Sequence, residues 1–296
     1  MQTKRQIQQL LASAGISPNK RHGQHFLIDL NLMRLLLETA NINNNDIVLE
    51  VGCGTGSLTE ALVDKAGIVI AVELDRTLAE IAKNQLADAD NLELINTDIL
   101  ENKNTLSHLV TKALESARKK YRNRVLLVAN LPYNVASPTI MNLLTGPCVT
   151  DAMYVTVQKE VADRMTAVPA SSDYGTLSIF LAAIGDVKTI RVLKPTVFWP
   201  VPQIDSAMVS FVRDQEKFKR IENTEIFSKT VNLFMGHRRK MLKTCCKLAK
   251  GKIAKIANWP EIFEQCSIDP TKRPEQLRAE DYIAIANLCH NVPAET

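Results

Sequence analysis

The chain has 296 residues, a length that favours one large and one smaller domain with ample buried core. Hydrophobic residues make up 46% of it and charged residues 23%, which are ordinary globular values and exclude the disordered and fibrous classes. The net charge is only +4, yet residues 217–255 contain twelve Lys or Arg and two acids, a local excess of +10. This excess favours a polyanionic partner such as a nucleic acid, although solvated helix faces also produce charge runs.

Several classes of protein are disfavoured by what the chain lacks. The N-terminus has no apolar core of a secretion signal, and no later segment has 18 uninterrupted apolar residues, so a cytoplasmic protein with no membrane association is expected. The six cysteines form no C-x-x-C pair and no zinc-type set with histidine, which predicts free thiols and no metal. The absence of a coiled-coil pattern favours a monomer.

The predicted elements begin with a short helix over residues 6–14, followed by a basic stretch that contains Lys20 and Arg21. From Asp46 the chain alternates short apolar runs with helix-like segments, the pattern of βαβ units and a parallel sheet. Two later β-rich stretches flank a proline-rich loop and predict an antiparallel hairpin that closes the sheet. The predicted strands are residues 47–51, 68–72, 92–95, 125–129, 153–157, 187–193 and 207–212.

Helical periodicity with a strong basic bias replaces this pattern after Arg213. The sequence therefore predicts three segments: a basic N-terminal arm over residues 1–25, an α/β domain over residues 26–213 and a helical domain over residues 214–296. The polar stretch 101–124 is predicted to be partly helical, and no chemistry is assigned to it.

Glycines 52, 54 and 56 follow the first predicted strand and precede a predicted helix near Ser57. Such glycines let the backbone turn sharply and approach a ligand at the carboxyl edge of a parallel sheet. The G-x-G-x-G spacing differs from the dinucleotide pattern, in which the helix N-terminus holds a pyrophosphate. It therefore favours a nucleoside-type cofactor without a phosphate, although a glycine-rich turn also occurs for purely structural reasons.

Two acids stand at the ends of the next two strands. Glu73 lies 21 residues after Gly52, where its carboxylate can accept hydrogen bonds from both hydroxyls of a ribose. Asp98 ends the third strand and can accept from an adenine amine. Each acid alone is more often a surface residue or a helix cap, but ligand-type residues at three consecutive strand ends favour a binding site.

The fourth strand ends in Asn130, followed by Leu131, Pro132 and Tyr133. This arrangement supplies a carbonyl acceptor and an aromatic plane beside the cofactor, and an aminopurine substrate needs both. If Asn130 Oδ1 and the Leu131 carbonyl accept the amine hydrogens, the nitrogen lone pair turns towards an electrophile and no strong base is required. Tyr133 would stack on the base.

Together with flanking segments, these residues resemble the ribosomal RNA adenine dimethylases, in particular the bacterial small-subunit branch whose loss confers kasugamycin resistance. The matching segments are GCGTGSLTE (52–60), VELD (72–75), TD (97–98), ANLPYN (129–134) and FWPVPQIDSAMV (198–209). Further matches are KRHGQHFL (20–27), VQKEVADRM (157–165), YGTLS (174–178), HRRK (237–240) and IDP (268–270). The resemblance therefore extends over nearly the whole chain.

The resemblance implies a Rossmann-like, seven-stranded class I methyltransferase fold with a small C-terminal helical domain that binds RNA. It also implies S-adenosylmethionine as methyl donor, S-adenosylhomocysteine as product, and N6 dimethylation of two adjacent adenines in a small-subunit ribosomal RNA hairpin loop within an assembling subunit. The implied cofactor contacts are His25, Leu27, Gly52, Glu73, Asp98 and Asn130. This chain departs from the family at His25, where asparagine is usual, and at Cys53, where proline is frequent.

At the reacting base, the resemblance implies that residues 130–133 hold the target amine and that Phe198 lies on the opposite face of the flipped base. From the residues alone, packing under a loop is the better interpretation of Phe198. Backbone phosphates are expected to be bound by basic residues of the arm and the helical domain, which supply affinity rather than base choice. These residues are Lys20, Arg21, Arg238, Arg239, Lys240 and Lys243.

Three other functions stay open at this point. The large-subunit methyltransferases of the macrolide-resistance type share nearly all of the site motifs, and only the long second domain with HRRK and IDP favours the small-subunit branch. A non-catalytic RNA-binding assembly factor would retain the same fold. An NAD-dependent oxidoreductase would explain the glycines and Glu73, but no hydride-transfer partner is evident at the fourth strand.

Overall fold

The computed structural model describes residues 1–19, 23–255 and 258–291. The predicted RNA-binding residues Lys20 and Arg21 lie outside these ranges. The chain forms two compact units, the first built from residues 1–162 and 188–212, the second from residues 163–187 and from residue 213 onward. Residues 163–187 thus join the C-terminal segment, which the sequence pattern does not indicate.

The strands of the described residues are β1 Phe26–Leu27, β2 Ile47–Val51, β3 Ile68–Glu73, β4 Leu92–Asn96, β5 Leu100–Asn102, β6 Thr105–Leu106, β7 Val125–Asn130, β8 Ala152–Gln158, β9 Gly185–Leu193, β10 Phe198–Trp199 and β11 Ser206–Arg213. The α-helices are α1 Lys4–Ser13, α2 Leu30–Ala40, α3 Ser57–Val63, α4 Arg76–Gln85, α5 His108–Lys120, α6 Ala136–Thr145, α7 Lys159–Thr166, α8 Thr176–Ile184, α9 Gln215–Lys219, α10 Thr224–Met235, α11 Leu242–Cys246, α12 Trp259–Gln265 and α13 Ala279–Asn291.

Seven strands form the main sheet, in the order β4-β3-β2-β7-β8-β11-β9. The first five are parallel, and β11 pairs antiparallel with β8. Each of the five parallel strands matches a predicted apolar run within one or two residues, and β9 and β11 match the predicted hairpin. The predicted Rossmann-like seven-stranded sheet is therefore confirmed.

The two central strands β2 and β7 are buried over almost their whole length, because helices cover both faces of a parallel sheet. Their apolar runs are consequently continuous rather than alternating. Since parallel strands end at the same edge, the residues after β2, β3, β4 and β7 meet in one place, where ligands bind in open α/β sheets.

Helix α1 matches the predicted N-terminal helix and is anchored by two interactions. A reciprocal capping box between Thr3 and Gln6 starts it, and Ile7 and Leu11 are fully buried in an apolar cluster. Just before the helix, the Gln2 side chain donates to the carbonyl of Thr55 at 3.0 Å and accepts from the Thr55 hydroxyl at 2.6 Å. These two hydrogen bonds hold the N-terminus against the turn that follows β2.

The second unit is helical, as predicted for the C-terminal part. Its core packs around Phe234 of α10, whose ring centroid lies 5.9 Å from that of Trp259 and 6.3 Å from that of Tyr282. The Tyr282 hydroxyl donates to the Pro274 carbonyl at 2.9 Å, so its buried polar atom is satisfied. Within the described ranges, none of the helices has the length and apolarity needed to cross a membrane.

Candidate active site

A cavity opens at the carboxyl edge of β2, β3, β4 and β7 in the first unit, with about 1100 Å³ of open space including its mouth. Most residues predicted for cofactor and base lie on its wall. They are His25, Leu27, Gly52, Gly54, Glu73, Asp98, Asn130, Leu131, Pro132 and Tyr133. Gly56 and Phe198 are predicted site residues that do not lie on this wall.

The glycine turn after β2 has backbone angles that require glycine. The φ angles of Gly52 and Gly54 are +78° and +59°, in the left-handed region. A Cβ atom on Gly52 would lie 2.7 Å from Pro132 Cγ, and one on Gly54 would lie 2.9 Å from the ring of Phe26. The turn is therefore packed tightly against Pro132 and the ring of Phe26, and both glycines line the cavity.

Glu73 ends β3 with its carboxylate facing this turn. Its Oε2 accepts from the Gly54 N–H at 2.8 Å, and its Oε1 accepts from the Asp75 N–H at 2.9 Å. Burial raises the pKa of Glu73, and these two backbone donors oppose the rise. Each carboxylate oxygen keeps a second lone pair for another donor, such as a ribose hydroxyl.

Asp98 and Gly56 lie in less enclosed surroundings. Asp98 is exposed at the cavity rim, and its Oδ1 accepts from the Leu100 N–H at 2.9 Å, which leaves Oδ2 for a ligand. Gly56 has a φ of +83° and precedes α3, and a Cβ there would lie 3.1 Å from Leu86 Cδ1. Gly56 thus serves the packing of the turn against Leu86 rather than the cavity wall.

Asn130 links the N-terminal motif to the centre of the sheet. Its Nδ2 donates to the His25 carbonyl at 2.8 Å, and its Oδ1 accepts from the Thr156 hydroxyl of β8. The side chain is half-buried and lies on the same cavity as Gly52. Asn130 and the glycine turn, which follow two neighbouring strands, therefore lie at the same edge of the sheet.

Two rings stand next to Asn130. The His25 and Tyr133 rings are stacked, with centroids 5.3 Å apart and planes 27° apart. The Tyr133 hydroxyl is hydrogen-bonded to Ser206 Oγ at 2.8 Å, and His25 Nδ1 lies 2.7 Å from the Pro200 carbonyl. Because a carbonyl can only accept, Nδ1 carries the proton in this contact. Each ring is thus held by a hydrogen bond as well as by its stacking on the other.

Phe198 does not take the predicted place beside the base. Strand β10 pairs with β1, and this pairing sets Phe198 opposite Leu27, in a core cluster that also contains Met208. The ring is only 1% exposed. The expectation that Phe198 lies on the site needs correction for this structure, because strand pairing turns the ring into the core, in agreement with the packing interpretation.

Glu50 is a cavity residue that the sequence analysis missed. It lies in β2 and is 2% exposed, and its Oε2 makes no hydrogen bond within the described residues. Burial raises its pKa to about 8, and the nearby charge of Glu73 acts in the same direction. Because this oxygen is itself buried, Glu50 contributes a carboxyl group next to the cavity rather than an acceptor exposed in it. An acid inside the apolar run IVLEV is the signal that could have revealed it.

The predicted RNA-binding residues that are described belong to the second unit and differ in their surroundings. Arg238 forms an ion pair with Glu275 at 2.9 Å and donates to the Ser172 carbonyl at 3.3 Å. Arg239, Lys240 and Lys243 are exposed. Arg238 thus has a structural partner, and the other three present their charge to solvent.

The six cysteines are free thiols, as predicted. Within residues 1–19, 23–255 and 258–291, no group of three or more His, Cys, Asp or Glu side chains is arranged to hold a metal ion.

Comparison with known proteins gives a consistent result. The family model described as ribosomal RNA adenine dimethylase matches residues 15–290. A protein of Clostridioides difficile named ribosomal RNA small subunit methyltransferase A is 38% identical over 275 residues, which cover 91% of this chain and 90% of that protein. A protein of Halothermothrix orenii with the same name is 34% identical over 285 residues, which cover 94% of this chain and 90% of that protein.

Two solved structures have a similar fold. A dimethyladenosine transferase from Plasmodium falciparum aligns with a TM-score of 0.68 at 22% identity, over 88% of this chain and 95% of that one. The 23S rRNA methyltransferase ErmE aligns with a TM-score of 0.62 at 21% identity, over 90% of this chain and all of that one.

The buried carboxyl group of Glu50 makes stability depend on pH. Its folded pKa of about 8 lies above the ordinary value of 4.5, so its stabilising contribution is full below pH 4.5 and is lost as pH rises to 8. Glu50→Gln mimics the protonated group and lacks this loss. We therefore expect the free energy of unfolding of the variant, relative to that of the parent, to rise by up to about 1.4 kcal/mol for each pH unit between pH 5 and 8. Urea unfolding at a series of pH values measures this difference. Parallel pH profiles of the two proteins would show that Glu50 does not titrate in this way.

Proposed function

This chain belongs to the ribosomal RNA adenine dimethylase family, and we propose that it transfers methyl groups from S-adenosylmethionine to the N6 amines of two adjacent adenines in a small-subunit ribosomal RNA hairpin loop. The product is N6,N6-dimethyladenosine, with S-adenosylhomocysteine as the spent donor. The roles assigned to individual residues are supported by one observation: the glycine turn, Glu73 and Asn130 line the same cavity.

When bound, S-adenosylmethionine supplies an electrophilic methyl group on a sulfonium. The residues of the cavity fit this molecule, because each carboxylate oxygen of Glu73 keeps a lone pair for a ribose hydroxyl and the glycine turn lacks the phosphate-binding spacing. In this proposal Glu73 would accept from the ribose hydroxyls, and Asp98 from the adenine amine. His25 and Leu27 line the same cavity and would cover the cofactor from the N-terminal side.

The target amine needs help because its lone pair is delocalised into the purine ring. Asn130 Oδ1 and the Leu131 carbonyl accept the two N6 hydrogens, which turns the amine so that its lone pair faces the methyl carbon. Tyr133 stacks on the base, a contact worth about 1 to 3 kcal/mol. Pro132 contributes indirectly, since it packs on Gly52 and so joins the base-binding turn to the cofactor-binding turn.

Catalysis on an adenine requires the base to leave its stack, which costs little in an RNA loop. In this proposal the chain acts as a monomer on an assembling ribosomal subunit in the cytoplasm. Residues 26–213 carry catalysis, and the arm over residues 1–25 and the helical segment 214–296 hold the RNA backbone. Lys20, Arg21, Arg238, Arg239, Lys240 and Lys243 are the proposed phosphate contacts.

The alternatives have less support. The curated relatives that cover nearly the whole chain carry the small-subunit name, which favours that branch over the large-subunit enzymes. The likeness to ErmE concerns the fold. Family membership leaves no basis for the NAD-dependent oxidoreductase. A purely non-catalytic assembly factor would not need a tyrosine and an asparagine amide held in place beside the cofactor turn.

The direct test is an assay with tritiated methyl donor on small ribosomal subunits that lack the modification, followed by nucleoside analysis. We expect label in N6,N6-dimethyladenosine, and a rate about 100-fold lower for Asn130→Ala, as for loss of a transition-state contact. Asn84→Ala, which removes an exposed asparagine on α4, serves as the matched control and should keep the parent's rate. Absence of label in adenine nucleosides, or a parent-like rate for Asn130→Ala, would contradict the proposal.

The basic residues are tested through the salt dependence of RNA binding. Because Arg238 is paired with Glu275, the informative variant is Arg239→Ala/Lys240→Ala, which spares that ion pair. Loss of two phosphate contacts should weaken binding and flatten the slope of log K against log salt by about 1.4 to 1.8. The control, Lys65→Ala/Lys83→Ala, removes two exposed charges of the first unit. An equal slope for both double variants would reject the phosphate contacts.

A further inference from the structure

Thr156 of β8 lies beside Asn130, on the neighbouring strand of the sheet. The parallel register of β7 and β8 pairs the two residues, and the Leu131 N–H donates to the Thr156 carbonyl at 3.1 Å. Thr156 is only 1% exposed and does not line the cavity, so it does not contact a ligand there. Its hydroxyl donates to Asn130 Oδ1. Any effect of the Thr156 hydroxyl on the reaction therefore passes through the asparagine amide.

Two contacts decide which way this amide faces. The His25 carbonyl can only accept, so the end of the Asn130 side chain that faces it must be the Nδ2 amino group. The opposite end is then Oδ1, and the Thr156 hydroxyl must donate to it. A 180° turn of the amide would set two oxygens against each other at His25. The amide is consequently held in one orientation from both ends.

The hydrogen bond from the Thr156 hydroxyl also limits how many further donors Asn130 Oδ1 can accept from. An amide oxygen has two lone pairs, and the Thr156 hydroxyl occupies one of them, which leaves one for a donor in the cavity. We propose that Thr156 is a positioning residue for methyl transfer, whose hydroxyl fixes Asn130 so that Oδ1 presents its remaining lone pair to a single N6 hydrogen. This proposal rests on the proposed function and deepens it.

The two methyl transfers depend on this arrangement to different degrees. Each transfer forms an N6–C bond, breaks the S–C bond of the donor and releases one N6 proton to water. In the first, the amine has two hydrogens, for Asn130 Oδ1 and the Leu131 carbonyl. In the second transfer, only one N6 hydrogen remains, and in this proposal Asn130 Oδ1 is the acceptor that orients it. A poorly oriented amide therefore harms the second transfer more, and monomethylated adenosine accumulates.

Thr156→Val removes the hydroxyl and keeps the shape of the side chain, and Thr156→Ser keeps the hydroxyl. We expect Thr156→Val to lower kcat about 3- to 10-fold, as for loss of one hydrogen bond, with KM for donor and RNA within about twofold of the parent. The ratio of N6-methyladenosine to N6,N6-dimethyladenosine should rise at least about threefold at equal total methylation. Thr156→Ser should restore both quantities.

The matched control is Thr139→Val, because Thr139 is also fully buried in the first unit and its hydroxyl makes no hydrogen bond within the described residues. It should leave kcat and the product ratio unchanged. If Thr156→Val does not fold, Thr156→Cys replaces it, and its weaker donor should give a smaller shift in the same direction.

A parent-like kcat and product ratio in the Thr156 variant would overturn the positioning role. So would a loss of activity that Thr156→Ser does not repair, or one that Thr139→Val reproduces. If the parent protein itself forms no dimethyladenosine, the proposed function fails first. If the parent forms it and Thr156→Val does so equally well, only the role of Thr156 fails.

Discussion

The hydrogen bond from the Gly54 N–H to Glu73 Oε2 is the contact on which the rest of the cavity depends. It joins the ends of β2 and β3, and it holds the glycine turn in a left-handed backbone that only glycine adopts without strain. With the turn in this position, Pro132 can pack on Gly52, and the end of β7 is brought against the same wall. The buried carboxylate of Glu73 also lines the cavity, so one group contributes both to the fold and to the candidate site.

The N-terminal residues complete the wall that the sheet begins. Gln2 is fastened to Thr55 in the glycine turn, and Ile7 of α1 lies on the cavity. The His25 carbonyl accepts from Asn130, so the end of β7 is in contact with the N-terminal segment as well as with β8. The cavity is thus enclosed by parts of the chain that are far apart in sequence, and each of them is held by a specific hydrogen bond rather than by apolar packing alone.

The sequence predicts the strands and the residues at their ends, because apolar runs mark the strands and strand ends meet at one edge of a parallel sheet. The positions of Glu73 and Asn130 at this edge could be predicted in this way. Phe198 could not be placed correctly, because the local pattern does not reveal that β10 pairs with β1 and turns the ring inwards. Thr156 and Gln2 could not be found either. Their partners are set by strand register and by the docking of the N-terminus, and both depend on the folded chain.

The most direct test of the central claim is a crystal structure with S-adenosylhomocysteine bound. We expect both ribose hydroxyls to lie within about 3.2 Å of the Glu73 carboxylate oxygens, and the sulfur to face the amide of Asn130. A ribose bound away from Glu73, or an Asn130 side chain turned from the sulfur into the core, would contradict it.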